Sequence, residues 1–234
     1  MKPVRISLFF ISILLFFCQN AYSQQPDPAD SVAVIPEKYG LRLGLNLSKP
    51  LRSFVDNKYR GFEILADYRI YKDYYIAAEI GNEKFIFEEP NISAENSGSY
   101  FKIGANYNAY DNWAGMQNSI FIGLRYGFST FSETLTKYRI YTPSNYFESD
   151  VRFPNKEYDG LTSSWIEFQA GLKAEVLNNL YLGIHLELKY QIAENGPQDI
   201  DVFYIPGFNK TYGGSNIGVG WGYSISYMIP FYKK

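Results

Sequence analysis

The chain has 234 residues, a formal net charge of −2 and an aromatic content of 18%, supplied by 22 Tyr, 18 Phe and 3 Trp. Disordered chains are poor in aromatic residues and rich in net charge, so this composition excludes an intrinsically disordered protein. A basic nucleic-acid-binding protein is also excluded, because Lys and Arg are not in surplus and cannot neutralise a phosphate backbone. The aromatic content is therefore the feature that the fold has to explain.

Residues 1–23 have the regions of a secretory signal peptide. A basic start precedes an apolar run that is too short to span a bilayer, and Ala21-Tyr22-Ser23 supplies small residues before a cleavage point at Gln24. The only cysteine, Cys18, lies inside this segment, and the residue before it is not small, which disfavours lipid modification. The mature chain then has no cysteine for disulfides or thiolate catalysis. Residues 24–38 are predicted to be a flexible lead-in.

The remainder, 39–234, alternates between apolar and polar residues in eight separate runs. Successive side chains of a strand point to opposite faces, so each run predicts a strand with one apolar and one polar face. No stretch reaches 18 apolar residues, so no transmembrane helix is predicted. The predicted strands are 39–48, 62–70, 74–80, 101–109, 120–128, 166–176, 182–190 and 217–229.

The connections between these runs alternate between long and short. The long ones, 49–61, 81–100, 129–165 and 191–216, then fall at one end of the strands. Transmembrane barrels show this asymmetry, with short periplasmic turns and longer extracellular loops. The polar faces of both strands that flank Lys72-Asp73 lie on odd residue numbers, so a plain two-residue turn would break their register. We therefore expect a three-residue loop or a bulge at that turn.

Two kinds of barrel fit this alternation. A soluble barrel has its apolar residues inside, whereas a transmembrane barrel has an apolar outer belt with aromatic residues at both interfaces and a polar lumen. Aliphatic residues hold the middle of most runs here, with Tyr, Trp and Phe commoner toward the ends, and the polar faces are rich in glycine. The predicted fold is an all-β, eight-stranded antiparallel up-and-down transmembrane β-barrel over 39–234. A soluble secreted barrel or sandwich is the alternative.

The polar faces carry equal numbers of basic and acidic residues and the only histidine. An eight-stranded barrel has room only for side chains, and charges removed from bulk water persist mainly when they are paired. We therefore expect a lumen plugged by ion pairs rather than a conducting pore. The expected network comprises Arg42, Glu63, Asp67, Arg69, Glu79, Lys102, Arg125, Glu167, Lys173, Glu175, His185, Glu187 and Lys189.

By this pattern the chain resembles the small eight-stranded outer-membrane β-barrels of Gram-negative bacteria, the class of the OmpA membrane domain and OmpX. The resemblance covers about 39–231. The segment GVGWGYSISYMIPF (218–231) looks like the terminal strand that the barrel-assembly machinery reads, although the chain continues to Lys233-Lys234. The resemblance also points to a family of uncharacterised function, from which no functional residues can be carried over. It implies an outer-membrane location and contact with outer-membrane lipid.

The long loops are the other candidate site. The third contains Tyr138, Tyr141, Tyr146, Phe147 and Tyr158 among Arg139, Glu148, Asp150 and Arg152, and the fourth contains Asp199, Asp201, Phe203, Tyr204 and Phe208. Tyrosine-rich loops on a rigid scaffold commonly form binding surfaces. Alternatively, the loops cover the barrel mouth or extend its strands beyond the membrane. Calcium at Asp199 and Asp201 has too few oxygen ligands in the sequence to be expected.

The predicted function is a non-catalytic, monomeric outer-membrane barrel with a structural or surface-interaction role and no cofactor, metal site or nucleic-acid partner. An extracellular ligand of unknown kind is compatible with it. Two alternatives are a small channel and a lipid-modifying enzyme that uses His185, Glu187 and Asp150. His185 beside Glu187 could act as a general base, but we favour a place in a lumen hydrogen-bond network, because the long loops contain no histidine where a substrate could reach it.

Overall fold

The computed structural model describes residues 38–110, 117–140, 150–210 and 215–233. The predicted signal peptide and residues 24–37 lie outside this part of the chain. Among the described residues, no helix is long and apolar enough to cross a membrane. The elements are β1 (Lys38–Asn46), α1 (Ser48–Val55), β2 (Tyr59–Tyr71), β3 (Tyr74–Glu89), β4 (Ile92–Asn108), β5 (Ser119–Arg139), β6 (Val151–Arg152), β7 (Lys156–Leu177), β8 (Leu180–Asn195), β9 (Tyr204–Ile205), β10 (Asn209–Lys210) and β11 (Ile217–Lys233).

Eight long strands form one closed antiparallel ring. In chain order β1, β2, β3, β4, β5, β7, β8 and β11 each pair with the next, and β11 returns to pair with β1. Apolar residues on the outer face are largely exposed, as at Ile103 (52%) and Leu124 (59%), whereas charged residues such as Lys102 and Arg125 are buried inside. This is the reverse of a soluble barrel and confirms the predicted eight-stranded transmembrane β-barrel.

The register at the β2–β3 turn agrees with the prediction from the odd residue numbers of the two polar faces. Arg69 pairs with Tyr75, and the register then shifts so that Tyr71 pairs with Tyr74. The bulge absorbs one residue, and Lys72 takes a positive φ of 39° in the tight turn. The polar faces of both strands therefore stay on the lumen side, as predicted.

The strands are longer than the sequence patterns indicated. The predicted loops 81–100, 129–165 and 191–216 contain the ends of the strands, so that β3 and β4 are joined only by residues 90–91. Above the apolar belt the alternation continues, but polar side chains now face outward and apolar side chains face inward. On β5, the outward residues become Thr130 and Thr134 while Phe131 and Leu135 point inward and are buried. The barrel therefore projects beyond the membrane as a cylinder with a water-facing outside and an apolar inside.

Candidate functional site: the occluded lumen

Every side chain of the predicted lumen network lies on the inner face of the barrel. Lys173 and Glu175, toward the short-turn end, are half-buried, and the other members are buried. Alternation fixes this placement, since each residue lies an even number of positions from the next inward residue on its strand. The network is arranged in layers along the barrel axis.

Near the short-turn end, Asp67 bridges two cations. Arg42 Nε donates to Asp67 Oδ1 at 2.6 Å, and Lys173 Nζ pairs with Oδ2. The Arg42 guanidinium also lies over the rings of Tyr75 and Tyr181, with its central carbon 4.8 and 5.2 Å from the two ring centres. Three charged side chains and two aromatic rings thus fill this level of the lumen, and both cations pair with the Asp67 carboxylate.

Arg69 and Glu175 close the short-turn end. Arg69 Nε donates to the Lys72 carbonyl, and its guanidinium lies 5.2 Å from the centre of the Tyr39 ring. Glu175 accepts from Lys38 Nζ at 3.3 Å and from the Asn179 backbone N–H at 2.8 Å. Both residues therefore bond locally, to the turns and to the first residue of β1.

Lys102 is the centre of the middle layer. Its Nζ lies 2.9 Å from Glu79, 3.2 Å from Glu167, 3.5 Å from Glu187 and 3.6 Å from Glu63. Both the lysine and the carboxylates are buried, so these charges depend on one another for the solvation that water would otherwise supply. Three of the carboxylates have oxygens within 4.8 Å of one another, a donor set that could hold a hard cation. The ammonium group of Lys102 already supplies a positive charge at that position.

Two more cations balance the middle layer. Arg125 Nε lies 3.3 Å from Glu79, and its Nη2 donates to Asn106 at 2.8 Å. Lys189 Nζ lies 2.8 Å from Glu187 and 3.8 Å from Glu167. The carboxylates that surround Lys102 are therefore contacted by cations from three different strands, which ties β4, β5 and β8 together across the lumen.

His185 belongs to this same layer. Its Nε2 lies 3.1 Å from Glu187 Oε1, and its neighbours on the adjoining strands are Gly171 and Gly222. A Cβ on Gly222 would come within 2.7 Å of the imidazole, so the ring fills space that this glycine leaves free. The lumen cavity beside His185 is about 20 Å³, room for about one water molecule. Asp150, the third residue of the enzyme alternative, lies apart on the long-loop side, exposed and paired with Arg152.

A segment of the fourth loop closes the long-loop end of the lumen. Residues 202–209, here called the loop-4 plug, form a small turn in which β9 and β10 pair inside the cylinder. Residues 202 and 204–208 of the plug are buried, so Tyr204 and Phe208 do not belong to an exposed binding surface. Their burial agrees with the alternative that this loop covers the barrel mouth. These two side chains are buried because the inner faces of the projecting strands are apolar. The plug forms a hydrophobic cluster with these faces that comprises Tyr100, Phe131, Leu161, Trp165, Val202, Ile205 and Phe208.

Glu83 fastens the plug to the barrel wall. It accepts from the Gly207 N–H at 3.0 Å, from the Tyr204 hydroxyl and, at 2.5 Å, from Lys49 Nζ of α1. Glu83 lies above the apolar belt. Burial raises the pKa of its carboxyl, but the contacts with Lys49, Tyr204 and Gly207 outweigh burial and hold that pKa at about 2. Gly207 itself has a φ of +80°, and a Cβ there would strike the ring of Tyr100 at 2.5 Å.

Two further contacts hold the plug. Glu133 accepts from the Phe203 backbone N–H at 3.1 Å and from the Asn96 side-chain amide, and Lys189 Nζ donates to the Gly207 carbonyl at 2.7 Å. Glu133 also lies above the apolar belt, and burial raises the pKa of its carboxyl. Glu83, Glu133 and Lys49 were missed by the sequence reasoning because they lie in segments predicted as loops. One of them could have been found: Glu79, Gly81 and Glu83 are spaced two residues apart, which places Glu83 on the same lumen-facing side of β3 as Glu79.

The rest of the predicted loop site is only partly described. Asp199 accepts from Lys156 Nζ at 2.7 Å and from the Tyr158 hydroxyl at 2.9 Å, so its carboxylate links the third and fourth loops. Phe153 is exposed, with 67% of its surface accessible. Tyr141, Tyr146, Phe147 and Glu148 lie outside the described residues.

Comparison with known protein families agrees with the expectation of a family of uncharacterised function. Over residues 2–234 the chain matches the family described as Domain of unknown function (DUF6048). The chain belongs to this family. No curated protein matches it.

Among solved structures, the chain is similar to two bacterial proteins. One is Ail, the attachment invasion locus protein of Yersinia pestis, with 11% identity and a TM-score of 0.39 over 82% of this chain and 98% of that one. The other is Neisserial surface protein A (NspA), with 12% identity and a TM-score of 0.40 over 82% of this chain and 96% of that one.

Proposed function

We propose that the protein is a non-catalytic outer-membrane β-barrel with a closed lumen, and that its projecting end serves interactions at the cell surface. The observation that carries this proposal is the closure of the lumen at successive levels. Asp67 and its two cations fill one level, the carboxylates around Lys102 fill the next, and the loop-4 plug packs into the mouth. A pore needs an open path along the barrel axis, and among the described residues the paired charges leave a cavity for about one water at the level of His185.

The projecting cylinder is the part of the protein that supports a surface role. Its strands run beyond the apolar belt, are cross-linked by the plug and present polar side chains outward. Binding residues are commonly carried by loops on such a rigid scaffold. The exposed groups at this end include Phe153 and the ion pair between Asp150 and Arg152. We propose these surroundings, rather than the lumen, as the place where an extracellular ligand would bind.

Location and orientation can be tested together. We expect the protein in the outer-membrane fraction, with the heat-modifiable gel mobility of a folded barrel. An epitope inserted at residues 90–91, between β3 and β4, should be labelled by antibody on intact cells. The same epitope at 178–179, between β7 and β8, should be labelled only after the outer membrane is opened. A soluble periplasmic protein, or the opposite labelling pattern, would contradict the proposal.

The closed lumen is tested by planar-bilayer recording of the purified barrel. We expect no steady conductance from the wild-type protein, and new current from Arg42→Ala or Arg125→Ala, since each substitution removes a side chain that fills the lumen. Steady current from the wild-type protein would favour the channel alternative. Catalysis is tested on the same protein with lipid vesicles. Lipid cleavage that is abolished by His185→Ala or Glu187→Ala would overturn the non-catalytic role.

Assembly and oligomeric state follow from the same architecture. β11 closes the ring by pairing with β1, so we propose that the barrel-assembly machinery handles this terminal strand and that the closed monomer needs no partner chain. Deletion of 218–231 should abolish outer-membrane insertion. The mass of the purified barrel in detergent should equal one chain plus its detergent shell.

A further inference from the structure

The barrel wall has a discontinuity between β1 and β11, toward the long-loop end. β1 ends at Asn46, which pairs with Ser224, whereas β11 continues back to Ile217 and pairs there only with β8. The Leu47 N–H donates to the Tyr223 carbonyl at 2.8 Å, so the backbone groups of odd-numbered β11 residues point toward the missing part of β1. The Val219 carbonyl accepts from the Asn209 side chain at 3.1 Å. β1 offers no partner to the remaining backbone groups of this edge.

Helix α1 covers the gap from the β2 side. The Gly61 N–H of β2 donates to Ser53 Oγ at 3.0 Å, and the Arg52 guanidinium stacks 4.0 Å above the ring of Tyr59. These contacts fasten α1 to β2 and leave a cavity of about 480 Å³ between α1 and β11. We call this space, between residues 48–56 and 219–223, the lateral cleft.

The lateral cleft joins the lipid-facing surface to the lumen. On its outer side lie Val219 and Trp221, which are 70% and 63% exposed and pair with the equally lipid-facing Leu188 and Leu186 of β8. Leu51 and Val55 of α1 add apolar surface, and Glu187 and Asn209 reach the cleft from inside. Its opening is therefore continuous with the belt that contacts the membrane.

We propose that the lateral cleft binds an outer-leaflet lipid from the side. Strand edges exposed to hydrocarbon are strongly disfavoured, because their backbone groups have no water to bond with. A phosphate-bearing lipid satisfies both halves of the cleft. Its acyl chain packs against Leu51, Val55 and Trp221. Its phosphate and ester oxygens accept from the β11 N–H groups that do not pair with β1 and from Arg52, whose side chain is 43% exposed beside Asp56.

The test is lipid retention by the full-length purified barrel, measured by native mass spectrometry in micelles that contain dimyristoylphosphatidylglycerol. We expect one lipid bound to the wild-type protein and at least tenfold less retention by Leu51→Trp, which fills the cleft. The matched control is Leu124→Trp, on the lipid-facing side of β5, which should retain lipid as the wild type does. Arg52→Gln should weaken retention of this lipid. Heat-modifiable mobility verifies that each variant is folded.

A second measurement needs no variant. Hydrogen exchange at the Val219 and Trp221 amides of the wild-type protein should slow at least tenfold when phosphatidylglycerol is added to lipid-free micelles. Equal exchange with and without lipid would show a cleft that holds water only and would overturn the proposal. Retention that Leu51→Trp leaves unchanged would also overturn it, as would the slowing of exchange by an added peptide strand but not by lipid.

Discussion

Replacing Glu83 by Ala should release the loop-4 plug while leaving the barrel folded. Glu83 accepts two hydrogen bonds from the plug, from Tyr204 and Gly207, and one from Lys49 of α1. A hydrogen bond to a charged group contributes about 1.5–3 kcal/mol, so the two plug bonds together contribute about 3 kcal/mol at the lower end. Since about 1.4 kcal/mol corresponds to a factor of ten, the open state of the plug should become about 100-fold more populated.

Hydrogen exchange of the Gly207 and Phe208 amides measures this opening directly. In Glu83→Ala these amides should exchange about 100-fold faster than in the wild type, while strand amides at the level of Lys102 keep their protection. The control is Glu88→Ala. Glu88 is on the same strand and pairs with Lys58 at 2.6 Å, but the pair is exposed and should contribute little. Wild-type exchange rates in Glu83→Ala would refute the assignment of Glu83 as the anchor of the plug.

Three further substitutions probe the lumen and the plug. Lys102→Met leaves four buried carboxylates without their shared cation and should destabilise the barrel by about 3–5 kcal/mol in thermal unfolding, whereas Lys84→Met, at the exposed pair with Glu95, should have little effect. Glu133→Gln should slow exchange of the plug amides at neutral pH. Because burial raises the Glu133 pKa, the wild-type plug is most stable below the ordinary carboxyl pKa and loses stability as pH rises through the raised pKa, a dependence that Gln abolishes. Trp165→Ala removes a fully buried ring beside Phe208 and should cost about 3–5 kcal/mol of plug stability by the same exchange assay.

The membrane-spanning part of the fold was predictable, because the odd or even number of a residue decides which face of its strand it lies on. The charges at Arg42, Asp67 and Lys102 fall on one face of each run, and only a polar lumen can take them when the other face is a continuous apolar belt. Parity also required the bulge beside Lys72, since pairing with a plain turn would have pushed an apolar face inward. These inferences need only neighbouring residues and the two-residue period of a strand.

The plug was not predictable in the same way. Tyr204 and Phe208 lie in a segment with no period of either kind, and their burial depends on an apolar interior that other strands create. That interior was itself hidden, because the inverted alternation around Phe131 and Trp165 reads as the end of a strand when only the membrane pattern is sought. The gap beside β11 was also missed. The alternation placed the end of β1 at residue 48, two residues past Asn46, but the lost pairing with β11 is a non-local feature that alternation within one strand does not report.

The alternation of apolar and polar residues inverts above the belt because the lower part of the cylinder is surrounded by lipid and the upper part by water. Within the membrane the surroundings are apolar, so apolar burial gains nothing and the interior is held by ion pairs such as those of Lys102. Above the membrane the surroundings are water, and an apolar interior is favoured again. Tyr100 lies where the two regimes meet. Its ring packs in the plug cluster and its hydroxyl donates to Glu63 at 2.6 Å, so this one side chain couples the apolar plug to the charged lumen below it.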